Sequence, residues 1–249
     1  MITIGIIGGS GLENPDILKS PEEKHSNTPY GAPSSPLLCG SVNNTNIVIL
    51  SRHGLNHTIP PSRVNNRANI FALRQAGCTH IISTTACGSL REEIQRGDLV
   101  IPDQFIDFTR HRKITFFEEF EPGNMRHTQM ADPFDVNLRN LIIGTANRLG
   151  LKVHETGTVI TIEGPRFSTR AESNLFRMWG ADIINMSISP EVILANELKI
   201  PYATIAMSTD YDSWKVDEKP VTWEEVLKVF DENVHNVLHL LHELIPLIG

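Results

Sequence analysis

Short runs rich in valine and isoleucine alternate along the chain with stretches of helical periodicity, and this alternation restricts the possible folds more than any other feature. The runs are Ile2–Ile7, Asn46–Ser51, His80–Thr84, Leu99–Phe105, Thr158–Ile162, Asp182–Met186 and Tyr202–Met207. Most are nearly continuous in apolar residues, the pattern of strands covered on both faces. Between them, Val64–Gln75 sets Asn and Arg opposite Ile70, Phe71 and Leu73. Pro133–Leu149 has the same period and is closed by Gly150, and helices over Ala171–Trp179 and Pro190–Leu198 follow. Thr222-Trp223-Glu224-Glu225 reads as a capping box opening a last helix, with an apolar stripe from Trp223 through Val226, Leu227, Phe230, Val234, Val237, Leu238 and Leu241 to Leu244. Alternating strands and helices predict one α/β domain over the whole chain, with a mixed or mostly parallel sheet covered by helices on both faces. Thr109–Gln129 breaks the pattern and reads as an excursion, a hairpin or a loop at a subunit contact.

At 249 residues and 40% hydrophobic, the chain can bury a substantial core. A formal net charge of -7 disfavours non-specific binding to nucleic acid or to an anionic membrane. It leaves room for a small anionic substrate, which needs only a local cradle of donors. Cys39, Cys78 and Cys87 form no CxxC pair and read as reduced thiols of a cytoplasmic protein. The N-terminus lacks a basic leader and reads as a first strand, not a signal peptide. No apolar run reaches membrane-spanning length.

In sheets of this kind ligands gather where strands end. Ser10, Arg52, Thr85, Ser187 and Asp210 each lie at or just past a predicted strand end. Gly8-Gly9-Ser10-Gly11 can turn sharply and form an anion nest, although it matches neither the dinucleotide fingerprint nor the P-loop. A plain tight turn is an equal reading of it. Arg52 offers a planar fork for phosphate, with His53 beside it. His53 and His57 stand at i and i+4, but Pro60-Pro61 argues against a helix there and no metal site is expected. Thr84-Thr85-Ala86-Cys87-Gly88-Ser89 reads as a strand end that exposes backbone N–H groups and Thr hydroxyls to a ligand, or equally as a plain strand-to-loop turn, with Cys87 a packed thiol. Phe167 can stack on a base and Met186 can pack on a sugar, with core packing the alternative for each. Asp210 and Asp212 lie two apart; in extended backbone both would face one ligand, and their proximity would raise the pKa of one. The alternative is a solvated acidic turn. His235, His239 and His242 read as a solvated helix face, and Arg110-His111-Arg112-Lys113 as a surface or subunit contact.

Taken in order, these blocks resemble the trimeric purine nucleoside phosphorylase family, in its 5′-methylthioadenosine phosphorylase branch. The resemblance rests on Gly5–Leu12, Ser51–Gly54, Val64–Leu73, Thr84–Leu90, Pro102–Asp107, Glu163–Ser173, Trp179–Ser187 and Ala206–Trp214. It implies a central, partly barrel-like mixed sheet flanked by helices and a homotrimer with sites near the subunit contacts. It implies phosphate binding by Ser10, Arg52, His53, Thr85, Ala86 and Ser187. The ribose would meet Met186, with His57 near it, and the base would lie by Phe167 and be held by Asp210 and Asp212. His127 matches a residue that relatives lend across the trimer contact. Relatives acting on 6-oxopurines have Asn in place of Asp210 and Glu in place of Ser168, so this pair points to adenine. Trp223 replaces a small aliphatic residue of close relatives near the 5′ end of the nucleoside. Animal members continue beyond Ile245–Gly249, so the 5′ pocket is expected to close differently here.

The implied reaction is phosphorolysis of 5′-methylthioadenosine to adenine and 5-methylthioribose 1-phosphate, within purine and methionine salvage. Inorganic phosphate is the co-substrate, and no metal or organic cofactor is implied. The alternatives are a 6-oxopurine nucleoside or methylthioinosine phosphorylase on the same fold, a histidine phosphatase using Arg52-His53-Gly54, and a nucleoside-binding module without activity.

Overall fold

The structure, a computed structural model, describes residues 1–8, 17–217 and 223–248. Eleven strands are found among these residues: β1 Thr3–Gly8, β2 Lys19–Lys24, β3 Leu37–Val42, β4 Thr45–Ser51, β5 His80–Ser89, β6 Leu99–Val100, β7 Gln104–Phe108, β8 Val153–His154, β9 Thr158–Ile162, β10 Ile183–Asn185 and β11 Tyr202–Asp210. The helices are α1 Asn66–Gln75, α2 Val136–Arg148, α3 Arg170–Met178, α4 Ile188–Glu197 and α5 Trp223–Leu244. One mixed sheet runs β2-β3-β4-β1-β5-β10-β9-β7, with β11 pairing β5 and β6, and β6 also pairing β8. The mixed α/β sheet flanked by helices that the sequence predicts is the architecture observed.

Period-two geometry explains why helices are needed on both faces. Ile6 and Ile82 belong to one buried cluster with Leu138 and Ile142 of α2 and Val237, Leu241 and Leu244 of α5. Their neighbours Ile7 and Ile81 belong to a second, with Ile70 and Leu73 of α1 and Ile188 and Val192 of α4. A third, smaller cluster joins Phe176 of α3 to Ile160 and Ile184. Burying each such side chain contributes about 1.5–3 kcal/mol.

Parallel pairing brings strand ends to one edge. Gly8 of β1 pairs with Ser51 of β4, Ile7 with Ser83 of β5, and Thr85 with Ala206 of β11. β10 then pairs antiparallel with the far end of β5, Ile184 against Gly88. That pairing carries Met186 and Ser187 to the same edge.

The structure departs from the sequence pattern in several places. β5 does not stop at Thr84 but continues to Ser89. Its small residues allow this: a Cβ on Gly88 would stand 2.9 Å from Asp210 Oδ1 and 3.0 Å from Ile184 Cγ2. The run Leu99–Phe105 divides into β6 and β7 around Pro102, which has no N–H for a ladder. β2 and β3 have no counterpart among the predicted runs; β2 is Lys-Ser-Pro-Glu-Glu-Lys, an exposed edge strand whose charge and proline hide it from hydrophobic patterning. Thr109–Gln129 is a long connection with a small bridged turn at Glu121 and Asn124. The capping box expected at Thr222 lies outside the described residues.

Candidate active site

The strand ends line a cavity of about 460 Å³. Arg52, His53, His57, Thr85, Ala86, Phe167, Met186, Ser187, Asp210 and Asp212 all contribute to its wall, so ten of the positions singled out in the sequence meet in one place. Ser10 lies outside the described residues, as does the side chain of Trp223. Ser168 stands behind the wall. His127 is exposed and is not part of the lining; its ring packs edge-on to Phe120 at 5.7 Å.

At one end, β4 delivers Arg52 just past Ser51. Its side chain is 2% exposed and forks onto Glu191 through Nε and, at 3.1 Å, Nη2. It donates from Nη1 to the Thr84 carbonyl at 2.9 Å. Burial opposes the Arg52 charge, but Glu191 outweighs it and holds the pKa above its usual value. The Thr85 and Ser187 hydroxyls lie 3.3 Å apart. Ser187 is the N-cap of α4 but makes no side-chain capping bond. The Ser187 and Ser189 N–H groups are taken by Asn185 Oδ1 and Thr161 Oγ1, so what α4 brings to this cluster is the positive end of its dipole. His53 sets Nδ1 2.8 Å from the Ile59 carbonyl, which can only accept, so Nδ1 carries a hydrogen. Its ring stacks on His57 at 4.6 Å. Among the described residues, no three His, Cys, Asp or Glu side chains group as metal ligands.

At the other end, β11 terminates at Asp210. The residue is 9% exposed, and its carboxylate accepts from Thr209 Oγ1 and from the Asp212 backbone N–H, both at 2.8 Å. Burial is the largest influence on Asp210 and raises its pKa; these hydrogen bonds oppose it, and the Asp212 charge adds to it. The extended backbone expected through Asp212 is not found. Tyr211 leaves the strand, and Asp212 opens a short 3₁₀ turn with φ of 42°. Both carboxylates still reach the cavity because the chain turns, and a non-glycine residue in the left-handed region marks local strain. The Ser168 hydroxyl lies 2.7 and 2.6 Å from the two oxygens of Asp212 and holds that carboxylate in place.

Between the ends lies Met186, against Gly164, whose φ of 62° and tight packing on the Met186 side chain require glycine. Arg112 fixes this wall. It donates from Nε to Glu163 Oε1 at 2.8 Å, and from Nη2 to the Glu163 carbonyl at 2.6 Å and the Met186 carbonyl at 3.3 Å. With its side chain 2% exposed, Arg112 is thus no surface residue of a basic run. Phe167 remains 43% exposed, so its ring lies on the open side and not in the core. Sequence reasoning does not reach Glu191, Tyr202 or Arg112. The available signal for Glu191 is an acid set within Ile188-Ser189-Pro190-Glu191-Val192-Ile193-Leu194, where a buried charge demands a partner.

The model of the Phosphorylase superfamily matches residues 3–246. An S-methyl-5′-thioadenosine phosphorylase of Xenopus tropicalis is 55% identical over 252 aligned residues, covering 100% of this chain and 89% of the relative. One of Thermofilum pendens is 51% identical, covering 99% of this chain and 92% of its own length. Among solved structures, methylthioadenosine phosphorylase from Schistosoma mansoni in complex with adenine superposes with a TM-score of 0.94 at 41% identity, covering 100% of this chain and 92% of that one. A single-substitution variant of the Schistosoma mansoni adenosine/methylthioadenosine phosphorylase, in complex with methylthioadenosine, gives 0.93 at 41% identity with the same coverage.

Proposed function

Since the chain belongs to the Phosphorylase superfamily, we propose that it cleaves S-methyl-5′-thioadenosine with inorganic phosphate, giving adenine and 5-methylthioribose 1-phosphate. It is a pentosyltransferase. The observation that carries the reading is the buried Asp210 facing the same cavity as the Arg52, Thr85 and Ser187 cluster. One end suits an anion and the other a base with an exocyclic amino group.

The chemistry follows from the two ends. Breaking the bond between N9 and C1′ leaves positive charge on the ribose and negative charge on the departing purine. Phosphate, held by Arg52, His53, Thr85, Ala86, Ser187 and Ser10, attacks C1′ and offsets the ribose charge. Asp210, whose pKa burial raises, donates a proton to N7 as the purine leaves. Asp212, anchored by Ser168, accepts from the 6-amino group. Met186 packs on the ribose with His57 near it, Phe167 covers the base, and Trp223 bears on the 5′ substituent. Phosphate is the only co-substrate; the bond broken needs no redox group or metal.

The same reading carries a homotrimer in which His127 is lent to a neighbouring site. The exposed Phe120 and Met125 flanking it on the 109–129 connection support that role. It also carries a cytoplasmic place in purine and methionine salvage. No helix among the described residues is long and apolar enough to cross a membrane. A panel of methylthioadenosine, adenosine and inosine, each with and without phosphate, tests the reaction. Methylthioadenosine should be cleaved fastest, only with phosphate, and arsenate should substitute. Faster turnover of inosine, or cleavage indifferent to phosphate, would overturn the reading. A monomer in light scattering at assay concentrations would remove the trimer.

A further inference from the structure

Beneath the anion end of the cavity lies a closed network of buried polar groups. Glu191, in the first turn of α4, is 1% exposed. Its Oε1 accepts from Arg52 Nε, and its Oε2 accepts from Arg52 Nη2 at 3.1 Å and from the Tyr202 phenol at 2.8 Å. The Tyr202 oxygen lies 2.7 Å from Ser83 Oγ, which lies 2.7 Å from Thr204 Oγ1. Burial, then Glu191, pushes the Tyr202 phenol well above its ordinary value, so it stays a donor. The guanidinium delivered by the end of β4 is therefore met directly by β5 and α4, and by β11 through Glu191.

Stability alone is a weak reason for such a pair. Replacing a buried ion pair by apolar residues of similar volume is often neutral or stabilising, because desolvation offsets the attraction. Direction is what the pair supplies. A guanidinium carries five N–H groups. Nε and one hydrogen of Nη2 go to Glu191, and one hydrogen of Nη1 goes to Thr84. One hydrogen remains on each of Nη1 and Nη2, and Arg52 forms part of the cavity wall. These two donors lie in a plane that Glu191 fixes.

We propose that Glu191, backed by Tyr202, is a positioning residue for the phosphate co-substrate: it sets the plane of the Arg52 guanidinium so that the two remaining donors meet two phosphate oxygens. Glu191 itself touches no substrate. The proposal rests on the phosphorolysis reading.

The test is steady-state kinetics on the wild type, Glu191→Asp and Tyr202→Phe. Phosphate is varied at saturating methylthioadenosine, then the reverse, with an unfolding midpoint for each protein. Glu191→Asp keeps the charge but withdraws it by one methylene, and should raise the phosphate KM by about tenfold or more, as expected when charged hydrogen bonds are lost. Tyr202→Phe keeps the ring, should fold, and should raise it by about threefold to tenfold. The nucleoside KM should stay within about twofold for both, given the separation of positioning from base binding. An unchanged phosphate KM in the folded variants would overturn the proposal, as would phosphate and nucleoside KM values rising together, the mark of a merely structural pair. If Glu191→Asp does not fold, Tyr202→Phe decides alone. A wild type whose cleavage ignores phosphate would instead remove the reading underneath.

Discussion

Replacing Asp210 by asparagine separates chemistry from folding at one position. The amide has the shape of the carboxylate, and the surroundings can accept it. The Asp212 N–H donates to Oδ1, so the amide oxygen must take that place. The NH₂ then faces Thr209 Oγ1, whose own hydrogen can turn to the Cys87 carbonyl 3.2 Å away. Each of these donors and acceptors keeps a partner, and the chain should fold. Burial raises the folded pKa of Asp210, so folding disfavours its ionised form. That penalty is absent below the unfolded value of about 3.9 and grows as pH rises toward the folded pKa. Asparagine never carries it. Asp210→Asn should therefore unfold at the same or a higher temperature than the wild type at neutral pH, with the advantage vanishing in acid.

Activity should move the other way. An amide can donate a hydrogen bond to N7 but cannot transfer a proton, and losing a general acid removes about 10²–10⁴-fold, or about 3–5 kcal/mol of barrier lowering. The assay is adenine release from methylthioadenosine at saturating phosphate, beside thermal unfolding at neutral and acidic pH. A kcat/KM within a fewfold of the wild type would refute the acid role. A clear loss of stability at neutral pH would show that the ionised carboxylate supports the fold, contrary to the burial argument.

Other consequences are equally open to measurement. Gly88→Ala places a methyl 2.9 Å from Asp210 Oδ1 and should cost about 1–3 kcal/mol of stability, read by denaturant unfolding, together with most activity. Ser168→Ala frees Asp212 from its anchor and should lower kcat/KM for methylthioadenosine by about tenfold while leaving the phosphate KM alone, as for a lost charged hydrogen bond. Burial pushes the Cys78 thiol up to about 12 and Cys87 well above its usual value, so alkylation of the native protein near pH 8 should mark Cys39 first and spare the other two until unfolding. The Glu172 carboxylate is held down to about 2, first by the hydrogen bond from Arg166 and then by the Thr169 backbone N–H of the capping box. Its stabilisation of the start of α3 is therefore present above the unfolded value of about 4.3 and is lost as pH falls toward 2, so Glu172→Gln should lower the unfolding midpoint at neutral pH by a margin that shrinks in acid.

The parts of the fold legible in the sequence are those where burial writes a period. β1, β4, β9 and all five helices lie within a few residues of expectation because their apolar faces meet the core. β2 escapes because an exposed edge strand buries nothing. The far half of β5 escapes because Ala86, Cys87 and Gly88 read as a turn, whereas their smallness serves the approach of Asp210 and Ile184. At the site, residues that touch the cavity are legible as polar groups at strand ends. Those that hold them are not. Glu191 lies within an apolar helix, Tyr202 begins a buried strand, and Arg112 sits in a run that reads as surface charge. Glu191 and Arg112 act through contacts far away in sequence, Glu191 to Arg52 being 139 residues apart and Arg112 to Glu163 51.

Burial sets opposite tasks at the two ends of the cavity. At the anion end a permanent cation is taken out of water, and Glu191 keeps it charged while fixing its direction. At the base end a carboxylate is taken out of water among dipolar N–H and O–H donors, and it is pushed toward its neutral form. The positive charge of Arg96 opposes that push but is the smallest of the influences on Asp210. The difference lies in the partners: a full opposite charge in contact with Arg52, against dipoles in contact with Asp210. On the proposed mechanism an anion therefore meets oriented donors whose charge is already balanced, and a leaving purine meets a carboxyl whose pKa burial has raised. Bringing a cation into contact with Asp210 would lower its pKa and reduce the protonated fraction that the proposed acid step uses. The weakness of the counter-charge at that end thus belongs to the chemistry as much as its strength at the other.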